Sequence, residues 1–380
     1  MALLGVIKML YNSMLDIKKI ENVYHKVKCN TKHKEKIVNF ETFYITNIMQ
    51  IYEVLEQRKY SHGKYNIFLV KEYKYRLIMS ENISDKIINH LISNEILLPN
   101  IEPRLIEMNV ATRKNKGTKQ GLYYTKKYLN AIRAKHENFY ILKCDIQKYF
   151  YNIDHEILLA KLTKIIKDDE ALDIVKNILN TTNNEETNIE IKKAIEGEKK
   201  RLLKTNNKHI KDKFKELDNI PLYEYNKGLP IGNLSSQILA VFYLNDIDHY
   251  IKEKLHCKYY VRYMDDFIIF HEDKEYLKYV LKEIEEKLRT DCKLKLHPKK
   301  TKIFSIKEGL TFLGYHFIIK NNHLITLMNP KTKKKIRKNI KRVIKKDLPN
   351  KENTFASYNG YFKNCSCKSF INHNDFDYFK

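Results

Sequence analysis

Two acids, Asp265 and Asp266, stand side by side in YVRYMDDFIIF (residues 260–270), a run otherwise dominated by aromatic and β-branched residues. The flanking segments suit a well-packed β-hairpin, with the acids at or beside its tight turn. Ionised carboxylates so close together repel each other and desolvate badly unless a cation joins them. Mg²⁺ fits, because it takes oxygen ligands and is typically held by one or two carboxylates plus substrate phosphates. Asp145, at the end of the apolar strand FYILKCD (residues 139–145), supplies a third carboxylate that a sheet can bring alongside. Three carboxylates at adjacent strand ends suit two metals, one activating an attacking 3′-hydroxyl and the other stabilising a leaving pyrophosphate.

The composition agrees with a phosphate-rich partner. Lys and Arg number 71 against 46 Asp and Glu, a formal net charge of +25 on 380 residues, and a polyanion is the economical explanation of such an excess. The apolar share of 43%, with 27 Tyr and 17 Phe, excludes a disordered chain. Six scattered cysteines lack a second Cys/His pair at zinc-ligand spacing, which predicts free thiols in a reducing cytoplasm. MALLGVIKMLYNSML at the start carries Lys8 too early for a membrane span and reads as a docking helix.

Around these acids the periodicity predicts strand character over 65–80, a helix over 82–98 with Ser84 and Asp85 near its start, and a helix over 155–166. A polar loop is predicted at 180–188 and a charged helical surface insertion over 190–217. A helix follows from about 234 to 255 and another over 274–289, then short strands near 293–305 and 310–320. Residues 331–346 hold ten Lys/Arg and no acid, yet Ile336, Ile340, Val343 and Ile344 recur at helical spacing. They predict a packed helix with a basic outer surface.

In this order the residues resemble a reverse transcriptase. Tyr263-Met264-Asp265-Asp266 resembles the family's catalytic hairpin, and Asp145 with Phe150 five residues on resembles its first metal motif. GLPIGNLSSQ (228–237) resembles the loop and helix that hold template and incoming base, and HPKKTK (297–302) the segment supplying a lysine near the triphosphate. FLGYHF (312–317) resembles the hairpin that grips the primer end, Tyr75-Arg76 with DKIINH (85–90) the first fingers motif, and RKNKGT (113–118) the second. The motifs cover about residues 40–320, with a weaker match at SYNGYF (357–362).

The resemblance implies an α+β right-hand polymerase: a helical extension (1–60), fingers (61–138), a palm on an antiparallel sheet (139–320, insertion near 180–225) and a short helical thumb (321–380). It implies catalysis by Asp145, Asp265 and Asp266. Two Mg²⁺ ions, with Mn²⁺ as an alternative, would sit on these three and on the main chain of Ile146. Phe150 would exclude a ribose 2′-hydroxyl and so favour dNTPs. Arg76, Arg113 and Lys116 would clamp the triphosphate through charge-assisted hydrogen bonds, and Gly117 would let the backbone approach it. Lys300 and Lys302 both qualify for the place near the pyrophosphate. Gly232 suits either a template contact or a turn leading into a helix, with Gln237 on that helix. Tyr263, Met264, Phe312, Leu313, Gly314, Lys335 and Lys338 would meet primer and template, although Gly314 also suits a plain hairpin turn.

Expected partners are an RNA template, a DNA or RNA primer and dNTPs, with room for an accessory protein or a structured cognate RNA, and no membrane. Ile231 and Gln237 stand where many retroviral and intron enzymes carry Gln and Pro. That form resembles diversity-generating retroelement and stand-alone bacterial or phage enzymes. The chain ends soon after its expected thumb, without a nuclease, ribonuclease H or integrase-like segment. Intron mobility or retroviral replication by this chain alone is therefore not expected. A non-catalytic RNA-binding scaffold is the alternative reading, and an RNA-making polymerase is disfavoured by Phe150.

Overall fold

The computed structural model describes residues 9–71, 74–205, 209–345 and 351–373. Along the chain come helices α1 (Ile17–Asn30), α2 (Lys34–Thr42) and α3 (Tyr44–Glu56), strands β1 (Asn66–Lys71) and β2 (Tyr75–Ser80), and helix α4 (Ile83–Leu91). Helix α5 (Thr118–Arg133) precedes β3 (Tyr140–Asp145), followed by α6 (His155–Ile165), α7 (Asp169–Asn180), α8 (Glu185–Leu203), α9 (Ile210–Asp218) and α10 (Leu234–Tyr243). Strands β4 (Tyr259–Tyr263) and β5 (Asp266–His271) form a hairpin ahead of α11 (Lys274–Cys292). The rest is β6 (Lys302–Ser305), β7 (Leu310–Phe312), β8 (Tyr315–Lys320), β9 (His323–Met328), α12 (Pro330–Lys345), α13 (Lys351–Phe362) and a short helix Lys368–His373. The fold is α+β, and its described strands pair antiparallel throughout.

The chain forms two compact units. One comprises the chain up to Thr112 with Ile146–Tyr250 and Ile284–Leu296; the other comprises Arg113–Asp145, Ile251–Glu283 and the chain from His297 onward. In the first unit, α1 begins where the Asp16 side chain accepts hydrogen bonds from the Lys18 and Lys19 amides, and it buries Ile20, Val23, Tyr24 and Val27. Their spacing places one apolar stripe on the core, and α1 packs on α4. Asn82, two residues before Ser84, caps α4 by accepting from the Asp85 amide. Helical structure then continues through a π turn, Ile92–Leu97, which buries Ser93 and Ile96.

Several expectations are corrected here. Strand character over 65–80 is the β1–β2 hairpin. The polar loop is shorter than predicted, because Asn184 caps α8 from Glu185. The charged insertion is not a free surface feature. Ile191, Ile195, Leu202 and Leu217 of α8 and α9 pack with Tyr75, Leu77 and Met79 of β2 in one apolar cluster. A hairpin alone is marginal in water, so this segment supplies the cover its buried face needs. The predicted helix over 234–255 breaks at Leu244 into α10, a short helix Asn245–His249 and a π turn Tyr250–Lys254.

In the second unit, four strands run in the order β4-β5-β3-β6 and three in the order β7-β8-β9. Strand β9 lies beyond the strands predicted from sequence. It turns back at Asn321 and Asn322, both at positive φ (48° and 54°), a conformation asparagine tolerates in two-residue hairpins. The basic helix is α12, burying Ile336, Ile340 and Val343 in a cluster with Phe355, Phe362 and Phe370. Every cysteine is a free thiol. Among the described residues no helix is long and apolar enough to cross a membrane. The start of the predicted docking helix, residues 1–8, lies outside the described residues.

Candidate active site

The strand registers bring the three acids together. Asp145 lies directly opposite Asp266 across the β3–β5 ladder, and directly opposed residues on one face place their Cβ atoms about 5 Å apart. Met264 and Asp265 form the two-residue turn between Tyr263 and Asp266, which pair with each other. Met264 sits at φ +56°, a left-handed conformation costing a non-glycine residue about 1 kcal/mol. Arg262, only 1% exposed, donates from its guanidinium to the Met264 carbonyl at 2.8 Å and holds that turn.

Burial and the neighbouring carboxylates dominate the electrostatics. Desolvation pushes the Asp266 carboxyl up to about 6; Lys143 opposes the shift, and Asp145 and Asp265 add to it. Asp265 is raised as well, by burial and then by Asp145, with Lys300 and Arg262 pulling it down. Lys300 Nζ donates to both Asp145 oxygens, at 2.8 and 2.9 Å. Its loop is anchored by the His297 amide, which donates to the Asp145 carbonyl at 2.7 Å. Lys143 Nζ lies 3.3 Å from Asp266 Oδ2, donates to the Thr311 carbonyl at 2.9 Å and stands over the Phe312 ring.

Two ammonium groups thus stand at Asp145 and Asp266, carboxylates expected to take metal. Among the described residues no three His, Cys, Asp or Glu side chains are grouped as a ready metal site. The donor set still fits a hard divalent ion. It is all carboxylate oxygen, Asp266 Oδ1 is buried without a hydrogen-bond partner, and the Lys300 side chain is 52% exposed. Asp145, Asp265 and Asp266 would hold such an ion. Ile146, next to Asp145 in sequence, is buried and bridges to Leu296, so only its main chain is on offer.

The structure separates the two candidate lysines. Lys300 reaches Asp145, whereas Lys302 lies on β6 with its ammonium 4.6 Å from the Phe304 ring centre. Arg113, Lys116, Tyr263, Phe312, Leu313, Gly314, Lys335 and Lys338 belong to the same unit as the three acids. Lys335 and Lys338 are exposed on α12, Phe312 is buried, and Tyr263 and Met264 are half-buried. Leu313 and Gly314 form the β7–β8 turn at φ +49° and +85°, and the Gly314 carbonyl accepts from Tyr361 Oη at 2.5 Å. Gly117 (φ +83°) precedes α5, and an added Cβ there would meet nothing within 4 Å, which leaves its backbone approachable.

Arg76, Phe150, Gly232 and Gln237 belong to the other unit. Arg76 is exposed on β2 and Gln237 is exposed on the first turn of α10. Phe150 is half-buried, its carbonyl accepting from the Leu229 amide at 2.7 Å. Gly232 has φ +134°, and a Cβ there would stand 2.8 Å from the Met79 carbonyl oxygen. The glycine is thus required where the loop crosses strand β2, where the Met79 amide donates to Ile231. Sequence reasoning passed over Lys143 and Arg262. Both were visible: Lys143 is two residues before Asp145 and shares its strand face, and Arg262 is a charge inside an apolar strand.

The chain resembles the telomerase of Candida albicans solved with a TWJ fragment of telomeric RNA (14% identity, TM-score 0.46, covering 85% of this chain and 61% of that one). It also resembles the apo telomerase of Candida tropicalis truncated from its C-terminal domain (13% identity, TM-score 0.47, 75% and 60%). The chain thus spans about three fifths of those proteins. Among curated protein sequences none matches it. The sequence profile described as reverse transcriptase (RNA-dependent DNA polymerase) matches residues 62–317, and the chain belongs to that family.

Proposed function

We propose that this chain copies RNA into DNA by adding dNTPs to a primer. Members of its family share the α+β right-hand polymerase fold, bind an RNA template and a primer, and work with divalent metal ions. The observation that carries the reading is the opposition of Asp145 and Asp266 across β3 and β5, with Asp265 in the adjoining turn. Bound divalent metal, Mg²⁺ in our reading, would supply Lewis-acid activation of the attacking hydroxyl and charge neutralisation at the phosphates.

The chain's own residues do the remaining work. The strand ladder fixes the direction of the acids, Arg262 holds their turn, and Lys143 keeps one carboxylate ionised by its positive charge. Lys300 is tethered through His297 to the strand that ends in Asp145, so its ammonium can leave the carboxylate for an arriving phosphate oxygen. Phe150 serves as the barrier to a 2′-hydroxyl. The motif form GLPIGNLSSQ supports a bacterial or phage retroelement or antiviral defence setting, acting in the cytoplasm on a cognate RNA.

A non-catalytic RNA-binding scaffold is the second reading. It gives no reason for a carboxyl held up to about 6 by desolvation, since a buried carboxylate works against folding. Purified protein with Mg²⁺, an RNA template and a DNA primer should incorporate dNTPs, and Asp265→Ala should lower the rate by about 10³-fold or more. Equal extension by the variant would remove the assignment. Phe150→Ala should raise the use of rNTPs relative to dNTPs in the same assay, and an unchanged ratio would remove its gate role.

A further inference from the structure

Helix α5 carries a surface that the chemistry above does not use. Its sequence, TKQGLYYTKKYLNAIR, contains no acid. Its buried side includes Leu122, Thr125, Leu129 and Ile132, leaving Lys119, Tyr123, Lys127 and Asn130 exposed with Lys126 and Arg133 half-buried. These positions recur every three or four residues, so they form one stripe about 21 Å long at 1.5 Å per residue. Tyr123 is 54% exposed, and the Lys127 ammonium stands 5.9 Å from its ring centre.

The stripe runs into an open cleft of about 470 Å³ whose lining includes the cations Lys126, Arg133 and Lys363 together with His323, with no acid among its lining residues. Lys126 bridges the cleft by donating to the Asn364 carbonyl at 2.9 Å. Arg133 donates to the Asn322 carbonyl, while its Nε is buried without a partner. Among the described residues none of the cleft's cations, nor Lys119 or Lys127, pairs with a carboxylate. Helix α11 differs despite similar exposure: Lys278 pairs with Glu275 and Arg289 with Glu286. Net positive charge therefore does not by itself leave every lysine unpaired.

We infer that this stripe and cleft bind a single-stranded nucleic-acid segment, the cations meeting its phosphodiesters and Tyr123 stacking on a base. Unpaired cations beside an exposed aromatic ring are the combination that holds single strands without sequence preference. The chemistry is shared by an RNA template beyond the copied stretch and by displaced or newly made DNA. The inference rests on the polymerase reading only for the origin of that strand.

Fluorescence anisotropy with labelled single-stranded RNA and DNA 20-mers, titrated in 50–300 mM salt, tests it without any synthesis. Lys127→Ala/Lys363→Ala should weaken binding about tenfold and flatten the slope of log K against log salt by about 1.4, two phosphates at ~0.7 each. Tyr123→Ala should weaken it about fivefold or more, from one lost stack. Lys278→Ala/Arg289→Ala removes two charges from α11 and should change neither quantity by as much. Loss in the RNA arm alone, the DNA arm alone or both supports the site and identifies the strand. Unchanged affinity and slope in folded variants, or an equal loss in the α11 control, overturns it. Failure of the wild-type chain to extend primers would remove the polymerase reading and leave this result standing.

Discussion

At the scale of single residues, the site is a balance of opposed charges partly withdrawn from water. Asp266 faces Asp145 across the ladder and has Lys143 as its countercharge, yet burial still lifts its carboxyl to about 6. An unfolded Asp titrates near 3.9, so between about pH 4 and 6 the native state holds a proton that the unfolded chain has lost. Stability from this group is full below that window, falls as pH rises through it and stays low above it. Asp266→Asn should therefore raise the Tm of metal-free protein at pH 7.5 by about 2–4 °C and leave it nearly unchanged at pH 4. Calorimetry at both pH values checks this. Added Mg²⁺ should stabilise the wild type more than the variant, since it adds positive charge among three carboxylates and only two remain in the variant.

At the scale of elements, the loop 228–237 and the β1–β2 hairpin are a fitted pair. The Gly232 backbone, at φ +134°, lies against the Met79 carbonyl, and the Met79 amide donates to Ile231 at 2.8 Å. Gly232→Ala would meet both a backbone atom and an unfavourable dihedral, so it should cost about 2–3 kcal/mol. Urea denaturation measures that loss, and hydrogen exchange at the Met79 amide should show it locally. Retained stability would mean that the loop can lift away from the strand. The insertion has a comparable role, because α8 and α9 give the same hairpin an apolar cover.

At the scale of the whole chain, a net charge of +25 dictates association governed by counterion release. Affinity for a primer–template should fall by about 10³-fold or more between 50 and 200 mM salt, as for six or more phosphate contacts. Filter binding across that range checks it. A flat salt response would assign the charge to something other than nucleic acid. Helix α12 illustrates how such charge coexists with packing. Ile336, Ile340 and Val343 are buried in an apolar cluster, while Lys335 and Lys338 on the same helix face solvent.

The sequence by itself determined many of the local elements, though not all their boundaries, and the identity of the acids. Strand periodicity exposes 139–145 and 259–270, and the doublet, which alone suits a turn as well, points to a cation once Asp145 and the basic surroundings are read with it. Helical spacing was equally legible in α12, where isoleucines recur within a run of lysines. Tertiary structure decided what depends on neighbours distant in the chain. It placed Lys300 on Asp145, set Lys302 over Phe304, and made Gly232 a packing requirement of strand β2. It also turned a charged insertion into the cover of a hairpin. The reason is physical: a periodic pattern records which face of an element is buried, whereas which countercharge or backbone atom meets that face depends on chain segments brought together only by folding.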